Sequence, residues 1–118
     1  MATRRAVLGD TYVDQKEKAK SDFDADFQAF ITEVAWGKLW SRPGLSKRDR
    51  SLITVALLAA LGHDEELGLH IKATRNTGAS MAEIREALFH VAVYAGVPAA
   101  NRAFRIAKQA LGRKGAKR

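Results

Sequence analysis

Ten consecutive residues, LITVALLAAL from Leu52 to Leu61, are apolar on almost every side of a helix. A helix of that kind lies at the centre of a fold and is covered by other elements. It is too short to cross a bilayer, which takes about 20 residues. The segment therefore sets the class: a helical domain built around one central helix. Its ends are marked in the sequence. Ser46 with Asp49 three residues on resembles a capping box with Asp in place of Glu, and Gly62 closes the helix.

The rest of the chain reads as cover for that helix. Apolar residues recur at helical spacing, and period-two runs of β-branched residues are absent. A helical segment runs from Phe23 to Trp40, with Phe23, Phe27, Phe30, Ile31, Val34 and Leu39 as its apolar positions, and stops at SRPG, where Pro43 turns Arg42 away from helical angles. A helix from Asp64 to Thr77 ends at Gly78. Ser80 and Glu83 form a capping box for the next, whose stripe is Ile84, Leu88, Val91, Ala92 and Ala95. Pro98 opens a last helix to Leu111, with Ala99, Ala103, Ile106, Ala107 and Ala110 as its small-residue face. Residues 14–20 are polar enough for an exposed helix or a lead-in, and the first thirteen read as an arm. The expectation is an all-α, compact bundle of five to six short helices in a single domain over 1–118. The third and fifth of these helices are apolar on more than one side, which predicts a homo-oligomer that buries the second faces, with Phe89 and Val93 among the interface residues.

Charge narrows the partners. The net charge is +7, but Arg113, Lys114, Lys117 and Arg118 fall in the last six residues, so the body carries only +3. The excess is mostly a basic tail over 112–118, expected to be solvated and mobile. A modestly basic body suits a small anionic ligand at least as well as a polyanion. No helix combines a basic face with the short turn of a DNA-reading motif, so nucleic acid is not the expected partner. Cysteine is absent, which excludes disulfides, thiolate metal sites and thiol chemistry. The N-terminus MATRRAVLGDTYVD lacks the apolar core of a signal peptide, and a cytoplasmic protein with no membrane attachment is expected.

At about 100° per residue, His63, Glu66, His70 and Thr77 fall within roughly 80° of each other, a polar line beside Leu67 and Ile71. Glu66 and His70 stand at i,i+4, where a carboxylate can raise the imidazole's pKa and fix its tautomer. The pair is a candidate acid/base unit, although carboxylates in a first helical turn also serve the helix N-terminus by themselves. His63, Glu66 and His70 together offer three metal ligands, but not at the spacing of a zinc-enzyme helix. Arg48 and Arg50 open the central helix, where cations are mildly unfavourable, and are candidate anion holders; Arg75 is a third. His90 lies opposite the Leu88 stripe and suits an interface, a lined pocket or a structural role. Trp36 and Trp40, at i,i+4, are core or the wall of a ligand site.

Three stretches, LSKRDRSLITVALLAALG, HDEELGLHIKATRNTGAS and EIREALFHVAVYAGVPAANRAF, resemble the carboxymuconolactone decarboxylase family. The upstream AWGKLWSRPGLS is similar to its decarboxylase branch, and the likeness runs from about Arg4 to Leu111. The same superfamily includes AhpD-like thiol peroxidases, with a CxxC and a histidine three residues later. Here His70 matches that histidine, His63 and Glu66 stand where the cysteines belong, and Ser51 falls at a glutamate position. Without cysteine the peroxidase chemistry is excluded.

The resemblance implies an AhpD-like all-α fold, no cofactor, and a hexamer built from dimers. It implies conversion of 4-carboxymuconolactone, a small anionic lactone, to β-ketoadipate enol-lactone and CO2 in protocatechuate breakdown. Under that reading His70, poised by Glu66, delivers a proton, with His90 as the alternative donor. Arg50, Arg48 and Arg75 hold the dianion, and Trp36 and Trp40 exclude water. A non-catalytic helical scaffold and a basic module for nucleic acid or an acidic partner are the competing readings.

Overall fold

The central helix is α4 (Lys47–Leu61), and the chain doubles back from it into α5 (Asp64–Thr77) with almost no connection. Gly62 makes this reversal possible: it adopts a left-handed φ of 77°, and the His63 N–H closes on the Leu58 carbonyl at 3.0 Å. Two further helices, α6 (Met81–Tyr94) and α7 (Val97–Leu111), complete a four-helix body. Val55, Ala59, Leu67, Ile71, Ile84, Leu88, Val91, Ala103 and Ala107 form its core. The structure, a computed structural model, describes residues 1–112; beyond Gly112 the expected basic tail lies outside the described residues.

Both predicted caps are present. Ser46 Oγ accepts from the Asp49 N–H at 3.0 Å. Ser80 and Glu83 form the reciprocal box, at 3.1 Å and 2.9 Å. Among the described residues no helix is long and apolar enough to cross a membrane.

The N-terminal reading is corrected. The first thirteen residues are not an arm, and the polar stretch 14–20 is not a lead-in: they form α1 (Ala2–Leu8) and α2 (Asp10–Ala19), which raises the helix count to seven α-helices among the described residues. Val7 and Val13 are fully buried and anchor the pair. Asn76 Nδ2 of α5 donates to the Val7 carbonyl at 2.8 Å, and Arg4, itself buried, pairs with Glu17 at 3.0 Å. Too few apolar residues carry this packing for periodicity to reveal it.

The segment read as one helix from Phe23 to Trp40 is two. A regular helix of about two turns, α3 (Ala25–Ile31), passes directly into a π-helical segment (Thr32–Leu39). The expected apolar stripe is not buried, whereas the two tryptophans, expected as core or the wall of a site, are. Phe23, Phe27, Phe30, Val34 and Leu39 are exposed, while Trp36 and Trp40 are buried against α1 and α5. The second faces foreseen on the central helix and on α6 are open in the single chain, with Ile53, Leu57 and Leu61 exposed on one and Phe89, Val93 and Tyr94 on the other.

Candidate active site

His70 is where the cover and the body meet. It lies on α5 beneath the π-helical segment, with its ring centroid 6.2 Å from Trp36 and 6.1 Å from Trp40, at interplanar angles of 11° and 22°. The two indoles are 5.3 Å apart, so three rings form one cluster. A π-helix takes more residues per turn than an α-helix, which brings positions four apart closer to one face and turns both indoles toward the imidazole. The segment's end is pegged in place. Ser41 Oγ donates to the Trp36 carbonyl at 2.8 Å, and Thr3 Oγ1 lies 2.8 Å from Ser41 Oγ.

Four buried side-chain atoms among the described residues have no hydrogen-bond partner: His70 Nδ1, Thr77 Oγ1, Ser51 Oγ and Arg50 Nε. An unsatisfied buried polar group costs about 1–3 kcal/mol, and native folds keep few of them. These four belong to two facing helix segments. Ser51 stands eleven residues before Gly62 and Thr74 eleven after His63, so the antiparallel hairpin sets the start of α4 level with the end of α5. His70 is about one turn, or 6 Å of helix axis, nearer the connection. Orphaned donors and acceptors on two facing helix segments are candidate contacts for a polar ligand.

The predicted residues separate accordingly. His70 and Thr77 of the polar line are covered, while His63 and Glu66 are exposed. Glu66 makes no hydrogen bond to His70; it borders a polar cleft of about 770 Å³ with Lys16, Lys72 and Arg105. The expected carboxylate–imidazole pair is therefore absent, because α1 and the π-helical segment cover the later turns of α5 and leave Glu66 on the exposed first turn. Nor are His63, Glu66 and His70 drawn into a metal-binding cluster. Arg50 is half-buried and donates through Nη2 to the Arg42 carbonyl at 3.0 Å. Arg48 is engaged by Glu83 at 3.2 Å and Asp49 at 3.4 Å. Arg75 is exposed at the end of α5. His90 is exposed on α6, stacked on Tyr94 at 6.3 Å.

Ser51 is the residue that pattern reading undervalued as a site group. It is fully buried and shares the inward stripe of α4 with Val55 and Ala59. A hydroxyl at i, on a stripe otherwise apolar at i+4 and i+8, was the available signal.

The electrostatics also reverse an expectation. Burial among the rings pushes the His70 pKa below its ordinary value rather than raising it. The unfolded chain then binds the proton more readily than the folded one. Stability should be at its plateau above the ordinary histidine value of about 6.5 and fall as pH drops through it toward the lowered folded value. Thermal melts at pH 7.5 and pH 5.5 check this: His70→Gln should flatten the acid-side loss, and an unchanged slope would assign the loss to other groups.

The chain is similar in sequence to known proteins. The model of the carboxymuconolactone decarboxylase family matches residues 25–109. The chain is 43% identical over 109 residues to a 4-carboxymuconolactone decarboxylase of Acinetobacter baylyi, covering 92% of this chain and 81% of that one. It is 44% identical over 95 residues to the nitrosuccinic acid decarboxylase npaB of Metarhizium robertsii, covering 80% of this chain and 66% of that one. An uncharacterized 15.0 kDa protein of Paracoccus denitrificans is 29% identical over 82 residues, 68% of this chain and 61% of its own length. The matched span takes in α3, the π-helical segment, the capped hairpin of α4 and α5, and nearly all of α6 and α7, and on that extent the chain belongs to the carboxymuconolactone decarboxylase family.

Proposed function

We propose that this chain decarboxylates 4-carboxymuconolactone to β-ketoadipate enol-lactone and CO2. The observation that carries the reading is the 43% identity to a 4-carboxymuconolactone decarboxylase across 92% of the chain. The chemistry suits the residues at hand. The substrate is a dianion whose departing carboxylate sits on a carbon conjugated to the lactone carbonyl. When the C–C bond breaks, its electron pair flows into that carbonyl, so the substrate is its own electron sink and the protein supplies binding, dielectric and a proton.

Arg50 holds a carboxylate, because its Nε is unsatisfied while Arg48 is already paired. Trp36 and Trp40 keep water from the departing group. His70 rests neutral in its buried position; an arriving dianion opposes that burial effect, draws a proton onto the ring, and the ring passes it to carbon as the charge disperses. Glu66 has no part in this scheme, and the exposed His90 is a poorer donor than His70. In the same reading the protein works as a homohexamer built from dimers, which the open apolar faces of α4 and α6 support.

A second substrate has its own support in the 44% identity to a nitrosuccinic acid decarboxylase. Nitrosuccinic acid is again a dicarboxylate with an electron sink beside a carboxylate, here a nitro group. Purified protein offered each acid in turn decides between them by CO2 release and by the absorbance change of the lactone. Release from the lactone at a higher kcat/KM is expected; turnover of neither acid overturns the reading. Arg50→Ala should raise KM by about 10–100-fold, matching a lost charge-assisted bond of about 1.5–3 kcal/mol, with a smaller change in kcat.

A further inference from the structure

Thr77 is the orphaned hydroxyl that shares a line of α5 with His70. Seven residues separate the two, so they fall about 20° apart around the helix and about 10.5 Å apart along it. Side chains on one face of a helix lean the same way, so the tips keep about that spacing. A threonine hydroxyl inside a helix commonly bonds a carbonyl of the preceding turn. Thr74 does so, donating to the Ile71 carbonyl at 2.6 Å. Thr77 does not: its Oγ1 is shut off from solvent without a partner, and the proton-transfer scheme gives it no part.

Arg50 stands at the same end of that line. The hairpin register that sets Ser51 level with Thr74 sets Arg50 level with Arg75, two residues and about 3 Å of helix axis from Thr77. Its guanidinium reaches toward the segment that carries the indoles: Nη2 donates to the carbonyl of Arg42, two residues after Trp40. Its Nε, like Thr77 Oγ1, is buried with no partner. Two free donors, one charged and one neutral, therefore lie near the end of α5, while the imidazole and the indoles occupy the turns about 10 Å before it.

The two candidate acids share a feature that fits this spacing. In both, the carbon that loses CO2 also bears a carboxymethyl arm, whose carboxylate is kept in the product. In the lactone, the carboxylate oxygens of an extended arm lie about 5–6 Å from the ring carbon that takes up the proton. With a contact of about 3 Å at either end, the proton donor and the holder of the arm should stand about 11–12 Å apart, close to the spacing of His70 and Thr77 along α5. We propose that the Thr77 hydroxyl and the Arg50 Nε–H together donate to the carboxylate that the substrate keeps, and that the site thereby selects acids with a carboxymethyl arm on the carbon that loses CO2. The departing carboxylate is then left on the side of Trp36, Trp40 and His70. This assignment rests on the decarboxylase reading and adds to it the part of the substrate that is recognised.

Thr77→Val keeps the β-branch and removes only the hydroxyl, while Thr77→Ser keeps the hydroxyl. Thr77→Val should raise KM for 4-carboxymuconolactone about tenfold or more, with kcat within about threefold, because a bond made equally in ground and transition states is lost. Thr77→Ser should stay within about threefold of the wild type in both constants. The thermal midpoint of Thr77→Val should not fall, since the hydroxyl has no partner in the unliganded chain; a clear fall would show it already bonded and overturn the assignment. A lactone carrying methyl in place of carboxymethyl removes the other half of the contact, and on it, as substrate or competitor, wild type and Thr77→Val should not differ. Succinate has the arm but no electron sink, and so gives a readout without turnover: its effect on indole emission should need about tenfold more acid in Thr77→Val. A wild-type KM in Thr77→Val, or an equal penalty on the methyl lactone, overturns the anchor and leaves the decarboxylase reading standing. Turnover of neither acid with the succinate shift present overturns that reading and leaves the anchor; without the shift, both fall.

Discussion

Replacing His70 by Gln should lower kcat for 4-carboxymuconolactone by roughly 10²–10⁴-fold, the usual contribution of a positioned acid/base group. KM should change little, since in the proposed scheme arginine and not the imidazole holds the dianion. Glutamine keeps a polar side chain of similar reach between the indoles, so the loss reports proton transfer and not collapse of the cluster. Glu66→Gln is the internal control. Its carboxylate is exposed and makes no bond to His70, so kcat should stay within a few-fold of the wild type. Normal kcat in His70→Gln with a loss in His90→Gln would move the chemistry to α6.

Trp36→Ala should be the most damaging single truncation near the site. The indole is 7% exposed and touches both partners of the ring cluster. Removing it should cost about 3–5 kcal/mol in urea-melt stability, through lost burial and the cavity left behind. It also opens His70 to water, which relieves the burial that lowers its pKa. A kcat–pH profile should therefore shift its histidine limb upward. A stability loss with an unmoved limb would mean that the indole only fills space.

Those two residues show how far the sequence could be read. The four-helix body was legible because its signals are local and redundant: Ser46, Gly62, Ser80, Glu83 and Gly78 bracket elements whose apolar residues keep one period. His70 was legible as a polar residue on a core-facing helix. Its environment was not. The indoles that bury it come from a segment some thirty residues upstream, turned inward by a π-helical pitch that a 3.6-residue wheel misplaces. Phe27 and Phe30 face water for a different reason: they lie on the regular helix α3, which in the single chain packs substantially only against its π-helical continuation. Glu66 was paired with His70 because i,i+4 neighbours can meet, but the pairing also depends on what covers each turn of α5. That cover comes from the π-helical segment and from α1, the latter anchored by little more than Val7 and a few polar contacts, too sparse a pattern to stand out from loop.

The chain has two tryptophans, and both stand on the same imidazole. Its intrinsic emission therefore originates almost wholly at one spot, with the two tyrosines placed elsewhere, Tyr12 beside Lys16 and Tyr94 beside His90. For most enzymes of this size, fluorescence averages over the whole fold. Here the molecule carries its own optical reporter at the candidate site, and ligand arrival, imidazole protonation and loosening of the N-terminal cover can each be followed by its colour and intensity without a label.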